Sequence, residues 1–172
     1  MGTDDRELVT KALSDDDTSA ERLIARYLAG TALLRDALTG MDAGQIAARP
    51  FPSKMTTLEV IGHVVDADQF MADRMKRTIA TERPLLMGVE SVDYLEPLHY
   101  AERDLELGLR LLDATREQMA ADLRRLPAEA WERDAVHSEN GLVTLRGLLL
   151  HTIRHLERHG AAIDEKRAAL GL

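Results

Sequence analysis

Four stretches of this chain carry apolar residues at helical spacing, and breaks rich in proline or glycine separate them. An amphipathic helix must bury its apolar stripe, and four stripes bury one another most simply as a bundle. The first stretch, from Ser19 to Leu38, carries Leu23, Ile24, Tyr27, Leu28, Leu33, Leu34 and Leu38. Gly40 and then "RPFPSK" close it, because Pro50 and Pro52 disfavour helix around them. A second helix opens at "TTLEV", where Thr56 and Glu59 have the spacing of a capping box. Its stripe runs Leu58, Ile61, Val65, Ala72, Met75 and Ile79, and Pro84 lies just beyond. Gly62 interrupts the pattern at a cost of about 1 kcal/mol relative to alanine. A third helix is predicted from Leu98 to Leu126 on Leu105, Leu109, Leu112, Met119 and Leu123. The fourth begins after Thr144, a suitable N-cap for "LRGLLLHTIRH", and runs to about Ala168.

The breaks are unequal. "ERPLLMGVESVDYLEPLHY" has no sustained period and reads as a connection of roughly 15 to 18 residues, long for a compact bundle. Such a length can run back along a helix, so helices two and three are expected as parallel neighbours. "LPAEAWERDAVHSENG" reads as a break with one short turn around Ala128 to Trp131. The expected fold is all-α, a four-helix bundle with a long crossover between helices 2 and 3. Residues 1–172 are expected to form one domain, with 1–18 a frayed end or a short leading helix.

Composition removes several function classes. A net charge of −8, with basic residues interleaved among acids, argues against nucleic acid, because phosphate contacts need clustered Lys and Arg. The acidic N-terminus has no apolar core of the signal-peptide kind, and no apolar run approaches the ~20 residues that span a bilayer. A cytoplasmic location without membrane attachment is therefore expected. With no cysteine, any metal would have to be held by nitrogen and oxygen. Bundles with exposed apolar stripes commonly pair, which makes a homodimer part of the expectation.

Half of the six histidines stand in "HTIRHLERHG", residues 151 to 160, spaced four apart so that they stack on one helix face. "LRGLLL" runs straight into them, so that face is partly turned inward. His151 and His159 lie about 12 Å apart along the axis, too far to share an ion with the ring between them. A metal-binding pair is thus His151/His155 or His155/His159, and His155 belongs to both. A third ligand must come from another helix, and His63 in "LEVIGHVVDADQF" is the only histidine inside helix two. It shares a face with Val60, Ala67 and Phe70, an apolar setting that costs free energy unless the ring is paired. Gly62 beside it would let a neighbouring helix or a ligand approach closely. Glu59 and Asp66, one turn either side, are candidates to orient the ring. Three neutral histidines would leave a position open for water or substrate, the pattern of a catalytic rather than a closed structural site.

With these residues in place the chain resembles the DinB-like superfamily of metal-binding four-helix bundles. "KMTTLEVIGHVVDADQFMADRMKRTI" is similar to the helix-two pattern of that family, although relatives often have Trp where this chain has Met55. "HSENGLVTLRGLLLHTIRHLERHGAAI" is similar to its C-terminal part, with a His-x-x-x-His pair near the end. The resemblance covers most of residues 20 to 168. It implies His63, His155 and His159 as the metal ligands, with His151 a neighbour one turn before the site. His137, in "HSENG", falls in a loop motif that recurs in relatives, and a loop-structuring role is expected of it.

The resemblance also implies a divalent metal ion, zinc or nickel by preference, and a small-molecule substrate. Some related families are enzymes that bring mycothiol or bacillithiol to a metal centre, to isomerise maleylpyruvate or to conjugate an electrophile. Others are suspected hydrolases. The expected function is therefore a metal-dependent enzyme that activates water or a low-molecular-weight thiol, as a hydrolase or a thiol S-transferase. The rival expectation is a non-enzymatic, stress-related metal-binding or scaffold bundle. The sequence itself shows no thiol-recognition feature: Arg74, Arg77 and Arg154 read as solvated helix charges.

Overall fold

The structure, a computed structural model, describes residues 19–172. The expectation for residues 1–18 lies outside the described residues. Among the described residues five α-helices follow in order: α1 Ala20–Leu38, α2 Ala43–Ala47, α3 Thr57–Ala80, α4 Leu105–Arg124 and α5 Leu145–Ala169. Side-chain caps start each of them. Ser19, Asp42, Thr56, Asp104 and Thr144 each accept a hydrogen bond from a backbone N–H of the first turn. At α3 the predicted capping box is complete, with the Glu59 carboxylate accepting from the Thr56 N–H at 2.7 Å.

The four long helices form the expected bundle, α1 packing on α4 and α5, and α3 on the same two. Two apolar clusters fill it end to end. One joins Leu23 and Tyr27 to Met71, Met75, Met119, Leu123, Leu149 and Ile153. The other joins Leu34 to Val60, Val64, Leu109, Leu112, Leu156 and Ile163. The first halves of α3 and α4 therefore share one cluster and their second halves share the other. They run parallel, as the long crossover allowed. α1 and α5 run the opposite way, each starting in the cluster where α3 ends.

Two details depart from expectation. The third long helix starts at Leu105 rather than Leu98. His99 takes a left-handed backbone conformation (φ 49°), a 3-10 turn covers Tyr100–Glu102, and Asp104 caps the helix through the Leu107 N–H at 2.7 Å. The break before α5 holds a hairpin as well as a turn, and a short strand of the crossover joins it. β1 is Leu85–Leu86, β2 Asp134–His137 and β3 Gly141–Thr144. β2 pairs parallel with β1 and antiparallel with β3, which makes a three-stranded sheet. Arg133 ties the base of this hairpin to the end of α3, donating to the carbonyls of Thr78 and Thr81 at 2.9 Å each. Among the described residues no helix is long and apolar enough to cross a membrane.

Candidate metal centre

α3 and α5 are antiparallel neighbours, so a residue early in α3 faces one midway along α5. His63 meets His155 and His159 in this way. His63 is buried and the other two are partly covered. The three ring centroids stand 4.5 to 5.1 Å apart. One ring nitrogen from each lies within 4.8 Å of the others, and no carboxylate joins them among the described residues. His151 stacks on the outer side of His155, with centroids 6.2 Å apart, and stays out of the group. Of the two pairs left open by helical spacing, His155/His159 is the one turned toward His63.

The Nε2 atoms of His63 and His155 are 3.2 Å apart. Two bonds of about 2.0–2.1 Å from those atoms to a single ion would open an angle of about 100°, close to tetrahedral. Protonation state fits as well. Burial, reinforced by the mutual repulsion that several imidazolium charges would feel, lowers the His155 pKa to about 2 and that of His159 to about 4. Burial also lowers that of His63. Arg158, three residues beyond His155, opposes a positive charge on all three rings. All three are neutral near pH 7 and present lone pairs, the form in which imidazole binds a metal. The residues present thus fit a divalent ion by geometry, charge and donor type.

The acids expected to orient His63 do other work. Glu59 accepts two hydrogen bonds from Arg49 and caps α3. Asp66 accepts from both terminal guanidinium nitrogens of Arg103, at 2.8 and 2.9 Å, and from the Tyr100 hydroxyl. Ser91, in a 3-10 turn of the crossover, is the group that meets the ring: its Oγ lies 3.1 Å from His63 Nδ1. A lone serine in an aperiodic connection gave no signal of this. The close approach foreseen at Gly62 is real, and its agent is the Tyr100 ring. A Cβ at Gly62 would stand 3.0 Å from Tyr100 Cδ2. His137 is buried in the hairpin, where its Nδ1 accepts from the N–H groups of Glu139 and Asn140 at 3.2 and 3.4 Å. It shapes the loop, away from the three-histidine cluster.

Comparison with known proteins agrees with this architecture. A sequence profile of the DinB superfamily matches residues 26–163. Among solved structures, the chain is similar to YfiT from Bacillus subtilis, described as a probable metal-dependent hydrolase with an unusual four-helix bundle topology. The TM-score is 0.84 and the identity 22%, over 94% of this chain and 91% of that one. It is also similar to a point mutant of the mycothiol-dependent maleylpyruvate isomerase. There the TM-score is 0.68 and the identity 13%, over 87% of this chain and 62% of that one. No curated protein sequence matches. With the profile spanning most of its length, the chain belongs to the DinB superfamily.

Proposed function

We propose that His63, His155 and His159 hold a divalent metal ion of the zinc or nickel class, and that the protein is a metal-dependent enzyme acting on a small molecule. One observation carries this reading: three neutral imidazoles converge on one point, and among the described residues no acid joins them. A closed structural zinc site takes four protein ligands, and the described residues offer three. When bound, such an ion supplies Lewis acidity, polarising a ligand oxygen or sulfur and making water or a thiol nucleophilic near neutral pH.

The residues of the chain define what surrounds that chemistry. His155 and His159 remain partly exposed and His63 forms the buried wall, so a small molecule approaches from the α5 side. Asp66 is held by Arg103 and Tyr100 and is not free to move a proton at the cluster. The likeness to YfiT, over nearly its whole length, supports hydrolysis over thiol transfer. A cytoplasmic location and a homodimeric state complete the reading.

Metal analysis of protein purified without a histidine tag tests it. Wild type is expected to carry close to one equivalent of zinc or nickel, and a His155→Ala variant less than about a tenth of that. Equal, substoichiometric metal in both would overturn the proposal. A panel of esters and amides, run beside electrophiles with low-molecular-weight thiols, then separates hydrolase from transferase.

A further inference from the structure

A neutral imidazole carries its proton on one nitrogen and its lone pair on the other. For His63 the nitrogen facing the cluster is Nε2, 3.2 Å from Nε2 of His155. If the His63 proton sat there, it would point at His155 and block the lone pair that a metal needs. What sets the tautomer is the partner of Nδ1, and among the described residues that partner is Ser91 Oγ, at 3.1 Å. Neither Glu59 nor Asp66 competes for it, since each is engaged elsewhere.

Ser91 reaches the ring because the crossover is fastened on either side of the contact: before it, β1 pairs with β2 and Arg74 Nη2 donates to the Met87 carbonyl at 2.6 Å. The Tyr94 ring packs on Phe70, with centroids 5.6 Å apart, and Tyr100 and Arg103 bind Asp66. Arg83 and His99, both with left-handed backbone (φ 41° and 49°), turn the chain at the two ends of the segment. These contacts do not depend on the serine hydroxyl.

We propose that Ser91 is a positioning residue: it accepts a hydrogen bond from Nδ1–H of His63 and so holds Nε2 as a bare lone pair aimed into the three-histidine cluster. The crossover thereby becomes part of the metal centre, contributing tautomer control rather than a ligand. The consequence for metal affinity rests on the metal-site reading above; the tautomer itself does not.

Two measurements on the full chain test this. Nitrogen-15 NMR of metal-free protein at pH 7 reads the His63 tautomer, expected to be Nδ1–H in wild type, mixed in Ser91→Ala and restored in Ser91→Thr. Competition with a chromophoric chelator reads Zn²⁺ affinity, expected to fall roughly 10- to 100-fold in Ser91→Ala and to recover in Ser91→Thr. Thermal melts establish that the variants fold, and a merely structural serine would lower the melting temperature without moving the tautomer. The proposal is overturned if wild-type His63 carries its proton on Nε2, or if Ser91→Ala changes neither readout. If wild type itself takes up no Zn²⁺, the metal reading fails, and the tautomer comparison alone upholds or overturns the role of Ser91.

Discussion

Two polar constellations are built along α3, a little over one turn apart, and they follow opposite rules. At Asp68 two opposite charges meet inside the fold. Arg116 Nη2 donates to Asp68 Oδ1 at 2.6 Å, Arg116 Nη1 donates to the Tyr27 carbonyl, and the Tyr27 hydroxyl donates to Asp68 Oδ2 at 3.1 Å. All three residues are at most 3% exposed. Burial pushes the Asp68 carboxyl up, and the Arg116 charge pulls against it. At His63 like meets like: three bases face one point and, among the described residues, no acid completes them. A buried polar group satisfied inside the fold serves the fold. One that is left facing others of its own kind is open to a group from outside, as the proposed metal site requires.

The contrast is broken most forcefully by removing one member from each side. Arg116→Ala strands a buried carboxylate and is expected to cost about 3–5 kcal/mol in urea unfolding. His155→Ala in metal-free protein is expected to cost less than about 1 kcal/mol, because its ring is not a partner the fold depends on. Equal losses at the two sites would erase the distinction.

Acid should find the histidine side first. His155 and His159 have folded pKa values of about 2 and about 4, against 6.5 for the ordinary side chain. Below about pH 6.5 the unfolded chain binds protons that the folded chain refuses, so stability is full above that pH and falls as pH drops toward 4. Melting temperatures of metal-free protein between about pH 7.5 and 4.5 should decline accordingly, and the His155→Ala, His159→Ala double variant should flatten the decline. An unchanged slope in that variant would assign the acid sensitivity to other groups.

A smaller, sharper comparison uses two helix glycines. A Cβ at Gly30 would collide with Arg116 Nη1, which is pinned to the Tyr27 carbonyl. Gly30→Ala is expected to destabilise by about 1–3 kcal/mol despite the better helix propensity of alanine. At Gly108 the nearest atom, Val65 Cγ2, is 3.6 Å away, an ordinary contact. There the same change is expected to stabilise by about 0.5–1 kcal/mol. Chemical denaturation reads both, and a shared sign would show that Arg116 yields more readily than its bonds suggest.

The helices were legible because their stripes and caps are local. Leu109, Leu112, Met119 and Leu123 fall on one face whatever else the chain does, and Thr56 with Glu59 announces a helix start within four residues. His63 and His155 were legible for the same reason, as histidines on inward faces of two helices; spacing left His151 and His159 open as the third, and only the family resemblance pointed to His159. What escaped was set by distant partners. Each strand of the small sheet has at most four residues, too few for an alternating pattern to stand out. Ser91 matters only because the crossover folds back over His63. The Arg116–Asp68 pair did leave a trace. Asp68 sits between Val64, Val65 and Met71, Ala72 at helical spacing, and Arg116 sits between Leu112 and Met119 in the same way. A charge in the middle of an apolar stripe was the available sign of a buried ion pair.

The bolt between the hairpin and α3 has a consequence for the lengths this chain can tolerate. Arg133 fastens the end of α3 at Thr78 and Thr81, while the Leu145 N–H bonds the Arg133 carbonyl and Thr144 both ends β3 and caps α5. α3 and α5 leave this point like the arms of a caliper, with His63 on one tip and His155 on the other. One residue inserted into either arm would turn its tip by about 100° and displace it by about 1.5 Å, closing the jaws on the wrong side chains. The linker between α1 and α3 lies outside the caliper and can change length without moving its tips. Insertions and deletions in natural variants of this protein should respect that boundary.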